Sequence, residues 1–212
     1  MTTAPRAVPP AALAPGRAVR HRGLFLALVC SAQFVLLVGG TVVTVSLPAI
    51  RRDLGLDDTQ LQWVLTAFAL TFGCLLLLGG RAADVFGRRR VFLVGVAVFA
   101  GGSLLCAVAS GPGLLIAARA LAGAGAAMAS PAAMSLLTSV FVTPRDRSTA
   151  LGAWAAVGAM GATLGNVLGG LLTSAGGWRW IFLINVPVCV VAFAGAFALV
   201  PVLPRERRRT LG

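Results

Sequence analysis

The chain has 212 residues, of which 58% are apolar and only 11% charged, with a mean hydropathy of +0.92. That excludes an ordinary soluble domain, because several apolar runs exceed the ~18 residues that mark a spanning helix. The net charge of +12 does not indicate a nucleic-acid partner either. All 18 cations are arginines, and all but Arg119 are set in short segments between apolar runs, not gathered on one face of a folded domain.

Residues 1–22 are rich in Ala, Pro and Arg and read as a disordered basic tail. The apolar run Gly23–Leu47 is too long for the h-region of a signal peptide, so it reads as a first membrane helix that ends at Pro48. A polar connection, Arg51–Gln60, leads to a second helix over Leu61–Gly79, with Trp63 at the membrane interface. Then comes Gly80-Arg-Ala-Ala-Asp-Val-Phe-Gly-Arg-Arg-Arg90, which reads as a tight charged loop. The third helix covers Val91–Ala109 and stops at the turn Ser110-Gly-Pro-Gly113. A fourth spans Leu114–Val142, long enough to need tilt or the kink that Pro131 would supply. After a short loop, Ser148 is placed to cap a fifth helix over Thr149–Ser174. Gly176-Gly-Trp-Arg-Trp180 turns the chain into a sixth helix, Ile181–Leu203, which contains Pro187. Four more arginines lie in the closing segment, residues 205–212.

The domain plan is therefore a tail (1–22), a six-helix membrane bundle (23–204) and a basic C-terminus (205–212). Fourteen arginines fall on the side of the two termini and three on the other, while Arg119 lies within a span. Short arginine-rich segments stay in the cytoplasm, so the expectation is an all-α integral membrane protein with both ends cytoplasmic.

Few residues within the spans can do chemistry. Arg119 is the only charged residue in one, and a charge at that depth faces a partner or a wet cavity unless it snorkels to the surface. All six acidic residues lie outside the spans, so no proton carrier stands out. Gly161, Gly165 and Gly169 recur every four residues on the fifth helix, followed by Gly170. Ala118, Ala122, Ala126 and Ser130 do the same on the fourth. Such stripes suit close helix packing or a smooth face on which parts of a transporter rock. Cys30, Cys74, Cys106 and Cys189 are far apart in apolar runs and suggest packing, with no disulfide or metal pattern. Gly123-Ala-Gly125 follows no strand and has Met128 where a dinucleotide loop needs glycine. No nucleophile–base pair appears, so the chain reads as no enzyme, with no metal and no cofactor.

Five segments in order resemble the major facilitator superfamily, and in particular its drug:proton antiporters with about fourteen helices. Gly80-x-x-x-Asp84-x-x-Gly87-Arg88-Arg89 resembles the signature loop between helices two and three. Thr41-Val-Val-Thr-Val-Ser-Leu-Pro-Ala-Ile50, Gln62-Trp-Val-Leu-Thr-Ala-Phe68, Arg119-Ala-Leu-Ala-Gly-Ala-Gly125 and Trp178-Arg-Trp-Ile-Phe-Leu-Ile-Asn-Val-Pro187 resemble motifs of helices one, two, four and six. The resemblance implies two inverted three-helix repeats and a cytoplasmic latch. In that latch Asp84 would receive the positive end of a helix from a second bundle and Arg88 and Arg89 would help hold it, with Gly80 and Gly87 permitting close approach and the turn.

The sequence departs from the pattern where the family often carries an acid in helix one, which falls at Gly39, and an asparagine nearby, which is Thr44. Val85, Ala82 and Ala122 replace other motif residues, and the Gly-Pro of helix five becomes Gly165-Asn166. The implied function is export of small amphipathic drugs or antibiotics by the N-terminal half of a transporter, with Gln33, Thr41, Arg119 and Met128 lining a midplane cavity. The implied partners are membrane lipid, the substrate, and a second bundle of six to eight helices, from a separate chain or a homodimer. The alternative is a non-transporting product that pairs with another bundle.

Overall fold

The computed structural model describes residues 22–199. The basic tail before Arg22 and the C-terminal segment 205–212 lie outside the described residues, as does the end of the expected sixth helix. Among the described residues there are seven helices: α1 (Arg22–Leu54), α2 (Asp58–Phe86), α3 (Arg88–Ala107), α4 (Pro112–Val140), α5 (Pro144–Gly176), α6 (Trp180–Leu183) and α7 (Asn185–Leu199). Five spans are long and apolar enough to cross a membrane, and α5 makes a sixth if its two arms, bent by 41°, count as one. The protein is an all-helical, multi-pass membrane bundle.

Four expectations need correction, each for a local physical reason. The first helix does not end at Pro48 but continues for six more residues to Leu54. A proline removes one helical bond without forcing a stop when the next turn is secured. Here Arg51 and Arg52 sit at the negative helix end, and Gly55 (φ 64°) lets Leu56 N donate back to the Arg51 carbonyl at 3.3 Å. At 33 residues the helix is about 50 Å long, well beyond a hydrocarbon core of ~30 Å.

Second, the signature segment is hardly a loop. Residues 80–86 form the last two turns of α2, and the break before α3 is Gly87 alone, at φ 98° and ψ 130°. A positive φ suits glycine, so Gly87 makes the turn. Gly80 has only ordinary contact, its missing Cβ lying 3.8 Å from Pro131 Cβ. Gly79 is the residue that permits close approach: a Cβ there would collide with the Ala127 carbonyl. That carbonyl is four residues before Pro131, which has no N–H to give it.

Third, Ser148 does not cap the fifth helix. Thr143 does, its hydroxyl accepting from Asp146 N at 3.3 Å, with Pro144 in the first helical position. Ser148 instead donates to the Arg145 carbonyl. Fourth, the sixth helix is broken at Ile184. Pro187 cannot donate to the carbonyl of Leu183, four residues earlier, and the chain divides there into α6 and α7.

The packing has the symmetry of two exchanged three-helix units. α4 is held between α2 and α3, while α1 lies along α5 and touches α7. Exchanging helices one to three with four to six turns the α1–α5 pair into α4–α2, and α3–α4 into the sixth span against α1; all four pairs are in contact. The α3–α4 seam is packed backbone to backbone. Gly95 faces the backbone at Gly125 and Ala129, and Gly102 faces that at Ala118 and Ala122.

Candidate functional site

The two ends of the bundle differ in charge. Arg22, Arg81, Arg88, Arg89, Arg90, Arg145 and Arg147 share one end, against Arg51, Arg52 and Arg179 at the other. At the arginine-rich end, Arg88 Nη1 donates to the Ser135 carbonyl at 3.4 Å. Arg89 Nη2 donates to the Phe197 carbonyl at 2.6 Å and its guanidinium lies 5.1 Å from that ring. These two arginines therefore tie the start of α3 to the ends of α4 and α7. Asp84, on the last turn of α2, is exposed and makes no hydrogen bond or ion pair among the described residues.

At the opposite end a clamp joins three connections. Asp53 accepts from Trp178 Nε1 at 3.0 Å and Arg179 Nη1 at 2.6 Å, and Arg179 Nη2 donates to the Ala109 carbonyl at 3.2 Å. The Trp178 hydrogen bond, followed by Arg179, holds the Asp53 carboxyl below its ordinary value of 3.8. Asp57 and Gln60 form a reciprocal capping box at the start of α2.

Between these ends, a cleft of about 270 Å³ opens among α1, α2 and α4. Gln33, Gly40 and Thr41 of α1 line it, with Phe68 and Phe72 of α2 and Ser130 of α4. The two rings are stacked at 6.1 Å between centroids, and Ser130 Oγ donates to Gln33 Oε1 at 3.2 Å. An apolar wall with a few fixed polar groups suits an amphipathic small molecule.

Arg119 lies behind this cleft. It is only 2% exposed, so it does not snorkel within the bundle. Nε donates to the Val64 carbonyl at 3.1 Å and Nη1 to the Gly39 carbonyl at 2.7 Å, joining α2 and α1 to α4. The guanidinium carbon is 4.4 Å from the Phe68 ring centroid. Nη2 is buried with no partner.

The structure thus gathers Gln33 and Thr41 at the cleft and puts Arg119 one ring away, but not Met128, which is half-buried beside Gly79. Gly161, Gly165 and Gly169 face Phe34, Thr41 and Val42 of α1, and Gly170 makes ordinary contact with Val45. That stripe is used inside the bundle and offers no free face to a second one. The two departures at Thr44 and Asn166 meet, the hydroxyl donating to Asn166 Oδ1 at 3.2 Å. Reading the residues one by one did not assign Phe68 and Ser130 to the cleft, nor close backbone approach to the glycines at 79, 95, 102 and 123. The seven-residue interval from Gly95 to Gly102, two helical turns, was the signal for the α3–α4 seam.

The family model described as Major Facilitator Superfamily matches residues 29–212. The chain belongs to that superfamily. Among curated relatives, it is 48% identical to the puromycin resistance protein pur8 of Streptomyces alboniger and 45% identical to the cephamycin export protein CmcT of Amycolatopsis lactamdurans. Each alignment covers 86% of this chain but only 36% and 37% of the relative, so the chain spans about a third of their length. A solved bacterial homologue of the human lysosomal transporter Spinster, inward-facing and occupied, superposes with a TM-score of 0.77 at 22% identity. That match covers 88% of this chain and 46% of the other, and shows a common fold.

Proposed function

We propose that this superfamily member is the N-terminal bundle of an exporter of small amphipathic molecules, antibiotics among them. The cleft among α1, α2 and α4 carries the proposal, because it combines stacked rings with the Gln33–Ser130 pair at the middle of the bundle. The names of the resistance and export proteins it resembles support the substrate class. We place the bundle in the cell membrane with its arginine-rich end, and so both termini, in the cytoplasm.

Transport on this proposal needs a second bundle. Asp84 would meet the positive end of one of its helices, an arrangement worth ~0.3–1 kcal/mol or more when partly buried. Arg88 and Arg89 already hold the neighbouring helix ends in place. The described carboxylates, Asp53, Asp57, Asp58, Asp84 and Asp146, lie at the two ends of the bundle, so any proton-carrying group at the midplane comes from the second bundle.

The test is reconstitution in liposomes under an imposed pH gradient, with puromycin as the probe. The chain is assayed alone and with the C-terminal part of pur8 as the second bundle. Uptake that requires both parts is expected. Binding between the parts without uptake refutes the proposal and leaves a non-transporting interaction subunit, a reading favoured by the glycine at position 39.

A further inference from the structure

Arg119 is a buried charge with no countercharge. Its guanidinium is fixed by two backbone carbonyls, at 2.7 and 3.1 Å, and by one aromatic ring, at 4.4 Å. All three supply partial negative charge and none is an anion. The five described acidic residues, Asp53, Asp57, Asp58, Asp84 and Asp146, lie at the two ends of the bundle. An uncompensated charge at this depth is costly, and leaving Nη2 without an acceptor adds to the cost.

One side chain joins the guanidinium to the cleft. Phe68 touches the guanidinium and also lines the cleft. Beside it stands Gly40, where a Cβ would come within 3.2 Å of Phe68 Cε1, so the missing side chain leaves the ring its place. Gly39, whose carbonyl accepts from Arg119, is crowded on its own side, since a Cβ there would come within 2.8 Å of Phe99 Cζ. None of the described residues supplies the anion, which leaves the cleft beyond Phe68 as a way in for one.

We propose that the cleft prefers small amphipathic acids, and that the ligand's carboxylate takes the free Nη2 donor of Arg119 once the Phe68 ring turns aside. The apolar body of the ligand lies along Phe72 and Leu37, and Gln33 and Ser130 meet any neutral polar group it carries. Planar recognition by Arg explains why a guanidinium, and not an ammonium, would occupy the position. The inference rests on reading the cleft as a substrate site, but it concerns binding and does not require transport.

Equilibrium dialysis of the purified full chain in detergent tests it with a matched pair, 1-naphthylacetate and the neutral 2-(1-naphthyl)ethanol, each corrected for partition into empty micelles. The acid should bind about tenfold more tightly than the alcohol, the worth of one charge-assisted contact. Arg119→Gln should bring the two affinities together, and Arg119→Lys should keep part of the preference. Phe68→Ala, which uncovers the guanidinium without removing its two carbonyl bonds, should widen the ratio and keeps the test decisive if Arg119→Gln fails to fold. Equal binding of the pair to the unaltered chain overturns the proposal, as does a ratio that survives Arg119→Gln or falls to one in Phe68→Ala. Acid-selective binding by a chain that transports nothing would sink the exporter reading alone. Export of neutral compounds without acid preference would sink only this one.

Discussion

Gly101 and Gly102 are neighbours in sequence, and the structure assigns them opposite responses to the same change. A Cβ at Gly101 meets nothing within 4 Å. Alanine there should be neutral or stabilising by up to ~1 kcal/mol, the helix-propensity gain over glycine. A Cβ at Gly102 would lie 2.6 Å from Ala122 N, 2.9 Å from Ala122 Cα and 3.0 Å from the Ala118 carbonyl oxygen. All three are backbone atoms, so no side chain can rotate away. To restore van der Waals distance, α3 and α4 must part by roughly 0.5–1 Å, which forfeits a quarter to a half of each contact along the seam. Overpacking of this kind costs about 1–3 kcal/mol, which outweighs the propensity gain. Purified Gly101→Ala and Gly102→Ala proteins would be unfolded in mixed micelles with increasing SDS and followed by tryptophan fluorescence. A midpoint equal to or above that of the parent is expected for the first, and a clearly lower one for the second. Equal midpoints for the two variants would refute the argument that the α3–α4 seam is limited by backbone contact.

Three other outcomes follow from the geometry. Asp84→Asn should lower transport by the reconstituted two-part system while leaving expression and insertion unchanged; parental transport rates would reduce Asp84 to a surface charge. The Asp53 carboxyl titrates below 3.8 when folded, so its clamp contributes fully above that pH and is lost as pH falls from there through the depressed folded value. A Trp178 emission change confined to the acid side of 3.8, and absent in Asp53→Asn, is expected in a chain keeping Trp178 as its only tryptophan; a change centred near neutrality would contradict this. In a cysteine-free background, Thr59→Cys should react with an impermeant reagent on intact cells and Arg90→Cys only after permeabilisation, and the reverse pattern would invert the bundle.

The sequence by itself determined the class and the clustering of arginines. These are properties of composition along the chain: a bilayer core demands about 20 apolar residues per helix, and nearly all arginines are confined to the segments between. The five motifs gave the family for the same reason, since each is a local run of residues. Helix ends were less legible, because prolines at 48 and 187 have opposite effects. Pro48 is carried within α1 to Gly55, whereas Pro187 coincides with a break at Ile184.

Only the tertiary structure decided which small residues matter and what Arg119 touches. Gly79 and Gly80 are indistinguishable in a sequence, yet only one lies against the carbonyl that Pro131 leaves without a donor. Arg119 could have snorkelled from a helix drawn alone. Its burial depends on carbonyls at positions 39 and 64 and a ring at 68, brought together by α1 and α2 packing on α4. Such contacts join residues 51 to 80 positions apart. No local pattern encodes them, because they exist only once the helices have chosen their neighbours.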